Sequence, residues 1–373
     1  MSPETLDQLL QGITGITWQS LVMFVVAGVL LYLAIVKDYE PLLLVPIAAG
    51  CLLANLPESP VIKEGGLLTV LYEAGIENEL FPLLIFIGIG ALTDFGPLLE
   101  RPRMILLGAA GQFGIFGVLL LALALGFTRE EAASIGIIGA IDGPTSIYVS
   151  GILAPHLLGP ITVAAYSYMA LVPVIMPPVM YALTTPEERR IRMTYTTRIV
   201  SRRTRILFPI ATTVLVGTLV PFATPLVGSL MLGNLMRESL VVERLTKSAS
   251  NELANIVTLF LGLAIGSTMV GTTFLQPSTL AILGLGIVAF SLDTATGLLF
   301  AKGFNRLSHG AFNPLIGAAG ISAFPMAARV VQRVAHDEDF ENYPLMHAMG
   351  ANAAGQVASV VAGGVLLALM VGA

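Results

Sequence analysis

Charged residues are scarce in this chain. They make up 12% of its 373 residues, about half of the roughly 25% that a soluble domain carries. Apolar residues make up 55%, and the mean hydropathy is +0.85. Apolar stretches recur from end to end, and no hydrophilic block is long enough to fold by itself. The composition therefore excludes an ordinary soluble domain and predicts one all-α, polytopic membrane domain.

Other absences narrow the range of functions. The single cysteine, Cys51, lies in an apolar run, which excludes disulfides and thiolate metal sites and predicts a packing role. The histidines are scattered, without metal-ligand spacing. The net charge is −5, and no basic patch with interleaved aromatics is present, which argues against nucleic acid as a partner. No Gly-Lys-Ser/Thr phosphate loop is present, which argues against ATP hydrolysis on this chain.

The apolar segments predict ten or eleven membrane spans. Several are shorter than the roughly 20 residues that cross a bilayer, and several contain Gly or Pro, which are tolerated only where protein or a water-filled cavity surrounds them. We therefore expect broken helices. The candidate spans are 18–36, 41–56, 80–95, 104–127, 132–155, 159–183, 206–231, 253–270, 278–300, 311–331 and 344–371.

One acid stands out within these spans. Asp142 is the only charged residue of an apolar stretch over roughly 132–155 and is followed by Gly143 and Pro144. An intramembrane carboxylate costs roughly 2.5 to 3.5 kcal/mol to insert, so we expect it to have a partner and a purpose. The Gly-Pro pair breaks a helix and frees backbone carbonyls to act as ligands. An acid at a broken intramembrane helix is typical of a cation site.

A basic connection divides the chain into two halves. Between Pro186 and Ile206 lie seven of the 19 basic residues, which predicts by the positive-inside rule that the connection 186–205 is cytoplasmic; a solvated loop without orientational meaning is the alternative. The halves 1–185 and 206–373 carry similar runs, Phe86–Ala91 with Phe260–Ile265 and Ile138–Asp142 with Ile316–Gly320. They predict two inverted repeats, although shared composition bias could produce the same similarity.

The second half offers neutral oxygen ligands in its own broken segment. Asn313 begins an Asn-Pro run, and Ser322 lies close behind it. With one carboxylate and neutral partners, a monovalent ion such as Na⁺ is the better charge match. The alternative for each residue is local: Asn313 as a helix cap and Ser322 bonded back to a turn. Farther along, Asn352 and Gln356 lie four residues apart on one helical face, where they either bond between helices or line the Asp142 cavity.

Four other polar residues are secondary candidates. Tyr168 precedes a Pro-rich run and is either an interfacial anchor or a proton donor in a polar cavity. Arg329 ends the second broken segment and would attract an anionic substrate or mark the membrane surface. Asp94 and Asp293 lie near predicted span ends and rank below Asp142.

The motifs together resemble those of a known family. The chain resembles the membrane β subunit of the biotin-dependent, sodium-translocating decarboxylases, which act on oxaloacetate, methylmalonyl-CoA or glutaconyl-CoA. Ile141 departs from the family pattern, which has a small residue before the acid. The matching runs are Ile87–Pro97, Asp142–Thr145, Tyr166–Pro173, Gly233–Glu238, Asn313–Gly320 and Leu345–Gly350.

The resemblance implies a reaction and its residues. The subunit would decarboxylate carboxybiotin from a partner's carrier domain, take up a proton and export Na⁺. Asp142, Asn313, Ser322 and Asn352 would bind sodium. Asp142, Tyr168 and Arg329 would be the catalytic residues, with Tyr168 assisting proton delivery or ion binding. Arg329 would steer the carboxylate of carboxybiotin, with Asn352 as its second contact.

The resemblance also implies an assembly. Its members would be a carboxyltransferase subunit, a biotin carrier protein and a small single-span membrane subunit around a homotrimeric core that moves in elevator fashion. The setting would be the lipid of a bacterial or archaeal cytoplasmic membrane. The chain's own lysines lack the Met-Lys-Met setting of a biotinylated lysine, so the biotin would come from the partner.

Two rival functions fit some of the same features. A gradient-driven sodium/solute secondary transporter would use the same inverted repeats and ion site. A catalytically inert membrane anchor would explain the hydrophobicity but not a costly buried acid.

Overall fold

Helices form the described part of the chain. The computed structural model describes residue 12 and residues 14–38, 40–193, 200–308 and 310–371, and no strand occurs within these ranges. The all-α prediction is therefore confirmed. From their sequence, residues 3–12 could form a short amphipathic helix at the membrane surface. Nearly all of them, and Arg198 of the basic connection, lie outside the described residues.

The α-helices include both long apolar helices and short ones, and several of the short ones end close to a Gly or Pro. Those of the first half are α1 (Trp18–Ile35), α2 (Pro41–Ala54), α3 (Leu67–Tyr72), α4 (Leu80–Leu92), α5 (Gly96–Glu100), α6 (Ile105–Ala110), α7 (Phe113–Ala124), α8 (Arg129–Gly136), α9 (Gly143–Leu153), α10 (Leu158–Ala170), α11 (Val172–Leu183) and α12 (Pro186–Arg189). Those of the second half are α13 (Arg202–Leu219), α14 (Thr224–Ser239), α15 (Glu243–Ser248), α16 (Ala254–Thr268), α17 (Gly271–Phe274), α18 (Pro277–Leu307), α19 (Met326–Glu338) and α20 (Leu345–Val371).

Several of these elements can cross a membrane. Within the described residues, five helical stretches are long and apolar enough, and two bent pairs raise the number to seven. The pairs bend by 64° between Pro60–Glu77 and α4 and by 68° between Pro155–Met169 and α11. The chain is a multi-pass membrane protein. The five stretches are α1, Pro102–Ala124, Glu243–Thr268, α18 and α20.

The predicted count of ten or eleven spans included segments that the structure divides. The stretch 206–231 is split between α13 and α14 by a turn at Pro221–Ala223. The stretch 311–331 begins as a 3₁₀ segment, Pro314–Gly320, and continues into α19, whose Arg329 and Arg333 are exposed. Proline and glycine interrupt the backbone hydrogen bonds at these points. Hydropathy does not detect such interruptions, so it predicted one continuous span where the structure has two separate elements.

Helices of the first half pack closely on helices of the second. Helix α2 crosses α16 at Gly50 and Gly266, and α4 crosses α14 at Gly90 and Gly233. A methyl group at any of these glycines would collide with a backbone carbonyl of the opposite helix. In a membrane, where lipid is as apolar as the side chains, such close backbone approach is a main source of helix association.

The buried apolar residues form two groups. The smaller group joins α1, α2, α4 and α16. The larger group contains α18, α19, α20 and the two 3₁₀ segments Ile137–Ala140 and Pro314–Gly320. Both broken segments predicted from the sequence therefore lie inside the larger group, where protein surrounds their irregular backbone.

The basic connection is packed against the second half. Arg189 is only 6% exposed; its Nε donates to Glu338 Oε1 at 2.7 Å, and one guanidinium nitrogen donates to the carbonyl of Thr184 at 2.6 Å. Arg192 binds both oxygens of Asp339 at 2.5 and 2.8 Å, and this pairing holds the pKa of Asp339 below its usual range. These ion pairs hold the basic connection against the C-terminal end of α19.

Candidate functional site

Asp142 lies buried at the start of α9. It is 3% exposed. Its Oδ1 accepts the backbone N–H of Thr145 at 3.3 Å, as an N-cap does, and its Oδ2 accepts the hydroxyl of Ser359 at 2.8 Å. No Lys, Arg or His side chain of the described residues pairs with it. The acid therefore has neutral donors only, and its charge has no protein counter-charge in the described part of the chain.

The backbone before Asp142 is strained. Ile141 adopts φ +52° and ψ +48°, a left-handed conformation that costs a β-branched residue roughly 1 to 2 kcal/mol. It ends the 3₁₀ segment Ile137–Ala140 and turns the chain so that Asp142 can cap α9. The predicted helix break is confirmed, and the left-handed residue lies two residues before the Gly-Pro pair.

The two broken segments meet directly. The backbone N–H of Ser322 donates to the carbonyl of Ala140 at 3.1 Å. The hydroxyl of Ser322 donates to the carbonyl of Gly355 on α20 at 3.0 Å. Ser322, predicted as a partner of Asp142, is thus held between the first broken segment and α20, with its side chain 3% exposed.

One face of α20 connects these parts. Asn352 donates to the carbonyl of Ile321 at 2.6 Å, and Gln356 donates to the carbonyl of Ser322. Ser359 continues the same face and reaches Asp142. The structure therefore joins Asn352 and Gln356 to the second broken segment. Ser359 was missed from the sequence, although its position three residues after Gln356 on one helical stripe was the available signal.

Buried oxygens without hydrogen-bond partners suit a cation at this place. The amide oxygens of Asn352 and Gln356 and the hydroxyls of Thr145 and Ser146 have none among the described residues. A buried unpaired acceptor is costly unless a ligand or water satisfies it. Neutral oxygens together with one carboxylate are the ligand types that suit a monovalent ion such as Na⁺. No cluster of His, Cys, Asp and Glu for a divalent metal occurs in the described ranges.

Tyr166 lies against the residue that follows Asp142. Its ring lies over Gly143 so closely that a methyl group there would collide with it, and its hydroxyl has no partner among the described residues. Tyr168, the predicted one, packs its ring against Gly286 and donates its hydroxyl to the carbonyl of Leu283 on α18. Residues two apart on a helix point in different directions, so only one of the pair can face the acid.

Neither Asn313 nor Arg329 forms a hydrogen bond or ion pair with Asp142 in the described part of the chain. The amide of Asn313 donates to the carbonyls of Arg189 and Ile191 at 3.1 and 2.9 Å, and its oxygen caps Leu315. These bonds are those of a local helix cap, the alternative role that the sequence left open, and of a contact with the basic connection. Arg329 is exposed in the first turn of α19, where its guanidinium forms no hydrogen bond or ion pair with other described residues.

The lower-ranked acids differ from each other. Asp94 has a 40% exposed side chain near Arg237, in agreement with its predicted place at a span end. Asp293 was placed wrongly: it is fully buried within α18. Helix α18 extends over 31 residues and carries Lys302 and Arg306 two turns or more beyond the acid.

Ser359→Ala should weaken sodium dependence without removing it. A hydrogen bond to a charged group contributes about 1.5 to 3 kcal/mol, so we expect the half-saturating Na⁺ concentration to rise roughly tenfold or more. Sodium-dependent activity of the purified complex would measure it. Ser291→Ala, at a part-exposed position on α18 away from Asp142's hydrogen bonds, is the matched control. An unchanged sodium dependence in Ser359→Ala would contradict the role of this hydroxyl.

The fold and this site define a class of protein. A multi-pass helical bundle with a buried acid at the contact of two broken segments is typical of ion-transporting membrane proteins. The model of the Na⁺-transporting oxaloacetate decarboxylase beta subunit family matches residues 19–370. The chain belongs to that family.

The chain is similar to known decarboxylase subunits over nearly the whole length of each. The chain is 54% identical to the methylmalonyl-CoA decarboxylase subunit beta of Propionigenium modestum, over 96% of each chain. It is 51% identical to the glutaconyl-CoA decarboxylase subunit beta of Acidaminococcus fermentans, over 97% of this chain and 96% of the relative. It is 48% identical to the oxaloacetate decarboxylase beta chain 2 of Salmonella typhimurium, over 98% of each. The protein is thus a membrane subunit of a sodium-pumping decarboxylase, and the gradient-driven transporter is not favoured.

Proposed function

We propose that the protein releases CO₂ from carboxybiotin delivered by a partner's biotin carrier and couples this step to Na⁺ export through Asp142. The observation that carries the proposal is the uncompensated acid itself: Asp142 lies buried at the contact of the two broken segments with only neutral donors. Such an acid is stable when a cation or a proton accompanies it. Sodium and the reaction's proton are therefore natural competitors at this carboxylate.

The chemistry requires one proton for each turnover. The bond between the biotin nitrogen and the carboxyl carbon breaks, CO₂ leaves, and the nitrogen takes up a proton. Loss of CO₂ is easier where the anionic carboxylate is desolvated, which a protein cavity arranges. A proton on its way to biotin would share or displace the charge at Asp142 and so release sodium. Tyr166, whose ring lies against Gly143, is the better placed tyrosine for this path, and Tyr168 on α10 would act from its contact with α18.

Sodium ligands would come from both halves. Asp142 would supply the charge, and Ser322 and Asn352 would supply neutral oxygens, with Ser359 orienting the carboxylate. Asn313 would contribute by holding the second broken segment to the basic connection, where its amide is engaged. Asn352 would also contact the incoming carboxybiotin.

Arg329 would receive that anion from the aqueous side. It is exposed, carries no partner among the described residues and begins the helix that follows Ser322. A guanidinium can bind a carboxylate through two parallel hydrogen bonds. Arg329 would therefore steer the carboxylate of carboxybiotin toward the broken segments.

The two halves would act as inverted repeats. The domains would be the halves 1–185 and 206–373, joined by the cytoplasmic connection 186–205. Similar π-helical turns precede α4 and α16, at Glu73–Glu77 and Ala249–Leu253, and a 3₁₀ segment lies in each half. The cross-packing of α2 on α16 and of α4 on α14 also relates the halves. These pairs support repeats that move against each other in elevator fashion.

The assembly would follow the implications of the family. A carboxyltransferase subunit and a biotin carrier protein would dock on the side of the basic connection, and a small single-span subunit would lie in the lipid beside a homotrimeric core. The membrane would be the cytoplasmic membrane of a bacterium or archaeon.

Free carboxybiotin tests the reaction. The purified subunit in proteoliposomes is expected to release CO₂ from it only when Na⁺ is present, and to move Na⁺ at the same time. A secondary transporter would move Na⁺ with a solute and leave carboxybiotin intact, and an inert anchor would do neither. Sodium uptake without CO₂ release would overturn the proposal.

Arg329→Gln should raise the KM for carboxybiotin about tenfold, the equivalent of about 1.4 kcal/mol of lost binding. The half-saturating Na⁺ concentration should stay unchanged, because Arg329 forms no hydrogen bond or ion pair with Asp142 in the described part of the chain. Arg333→Gln, one turn further along α19 and also exposed, is the control. Equal effects of the two variants on KM would mean that general basic charge, and not this position, attracts the substrate.

A further inference from the structure

A second buried acid lies on the longest helix and has no role in the mechanism above. Asp293 is fully buried in α18, which is apolar enough to cross a membrane. Its Oδ1 accepts the backbone N–H of Gly114 at 2.5 Å. Gly114 lies in the first turn of α7, just after the break that separates α6 from α7.

Part of this arrangement has a structural explanation. Thr296, three residues after Asp293 and on the same face of α18, donates its hydroxyl to the carbonyl of Ala110 at 3.0 Å. The two side chains therefore satisfy backbone groups on both sides of the break. This explains why Oδ1 is an acceptor but not why the side chain is ionisable, because an Asn would accept the same hydrogen bond.

The other carboxyl oxygen is the unexplained atom. Oδ2 of Asp293 is buried and has no hydrogen-bond partner among the described residues. It lies against Gly139, where a methyl group would approach it to 2.5 Å. The contact leaves little room for a hydrated ion on that side. A bare carboxylate without a counter-charge is costly in such surroundings, and binding a proton removes the charge.

Charged groups do not face Asp293 from the neighbouring elements. The segments α6, α7, Ile137–Ala140 and Pro314–Gly320 contain no Asp, Glu, Lys, Arg or His, and α10 and α11 contribute only tyrosines. Helix α8 carries Arg129, Glu130 and Glu131 in its first turn, at the opposite end from Ile137–Ala140. On α18 itself, Lys302 is engaged with Glu188 and the carbonyl of Leu183, and Arg306 lies in the last turn.

We propose that Asp293 is a proton-binding site, with the proton on Oδ2, and that it is linked to Asp142 through the segment Ile137–Ala140. Gly139 of this segment lies against Oδ2, and Asp142 follows three residues later. The same segment accepts the backbone N–H of Ser322 through Ala140. Loss of the proton places a negative charge against Gly139 and favours displacement of the segment that positions Asp142.

Infrared spectroscopy of the full chain tests the proton directly. At neutral pH we expect Asp293→Asn to remove a protonated-carboxyl band that the unchanged protein shows. Asp94→Asn, at the part-exposed acid near Arg237, should instead remove carboxylate absorption. Loss of carboxylate absorption in Asp293→Asn would overturn the proposal. This readout requires no turnover, so it is independent of the carboxybiotin reaction.

Two further measurements complete the test. If Asp293→Asn does not fold, carbodiimide treatment of the unchanged chain replaces it: modification of Asp293 at neutral pH supports the proposal, and modification only after acidification, or none, overturns it. The second measurement rests on the proposed function. In the reconstituted complex, Asp293→Asn should lower the number of Na⁺ ions transported per CO₂ released about tenfold. An unchanged ratio would show that the acid only caps the break and would overturn the link to Asp142.

Discussion

Asp142→Asn is expected to abolish sodium-coupled decarboxylation, with the affinity for Na⁺ falling at least about a hundredfold, the equivalent of roughly 2.8 kcal/mol. Asn keeps the size of the side chain and an oxygen that can cap α9 at Thr145. The variant should therefore fold. It lacks the single formal charge at the contact of the broken segments, which no neutral oxygen replaces.

Sodium-dependent CO₂ release and ²²Na⁺ uptake in proteoliposomes measure this effect. The control is Asp94→Asn, at an acid with a 40% exposed side chain, which should retain both activities. Sodium pumping by Asp142→Asn at the unchanged rate would refute the coupling role of Asp142. Retained CO₂ release without Na⁺ uptake would separate the two steps and place the chemistry elsewhere in the chain.

Arg189→Met is expected to lower the free energy of unfolding by about 3 kcal/mol, the lower end for breaking a buried ion pair, since it leaves the largely buried Glu338 carboxylate with only the exposed Arg190 at 3.8 Å. Arg189 and Glu338 have side chains that are 8% and 16% exposed, and a guanidinium nitrogen lies 2.5 Å from the carboxylate. Asn313 and Asn342 donate to the carbonyl of Arg189 as well. Loss of the ion pair should therefore loosen α19, the helix that carries Arg329.

Unfolding in detergent, followed by circular dichroism, measures this loss. Arg190→Met is the matched control, because Arg190 approaches the same carboxylate at 3.8 Å with a 59% exposed side chain; an exposed pair contributes about 0 to 1 kcal/mol. The double variant Arg189→Met with Glu338→Met should regain much of the stability, since no charge is then left buried. Equal losses of stability in Arg189→Met and Arg190→Met would contradict the stabilising role of the Arg189–Glu338 ion pair.

The charge of the basic connection can be predicted from the sequence, but the burial of its individual arginines cannot. Seven basic residues in one stretch predict a cytoplasmic loop, and charge is visible in any sequence. Arg189 and Arg190 are adjacent and chemically identical, yet one is buried in an ion pair and the other is exposed. The difference arises from how the connection packs against Glu338, 149 residues from Arg189 along the chain, so only the tertiary structure shows it.

The candidate site divides in the same way. A lone acid before Gly-Pro marked Asp142 without any coordinates, because the cost of burying charge is a property of the residue and its apolar neighbours. Ser322, Asn352 and Gln356 were found as polar residues among small ones. Ser359 was not, since a serine in a helix has many roles, and its bond to Asp142 spans 217 residues of sequence.

The sequence by itself determined the class of this protein: a helical membrane protein with an acid within an apolar stretch, in the family of sodium-pumping decarboxylase subunits. Scarce charge, apolar runs and local motifs suffice for that, because each acts over a few neighbouring residues. The tertiary structure decided which tyrosine lies beside Asp142, which serine holds its carboxylate and that Asp293 is buried within α18. These depend on contacts between distant helices, whose crossings are set by packing of the whole bundle.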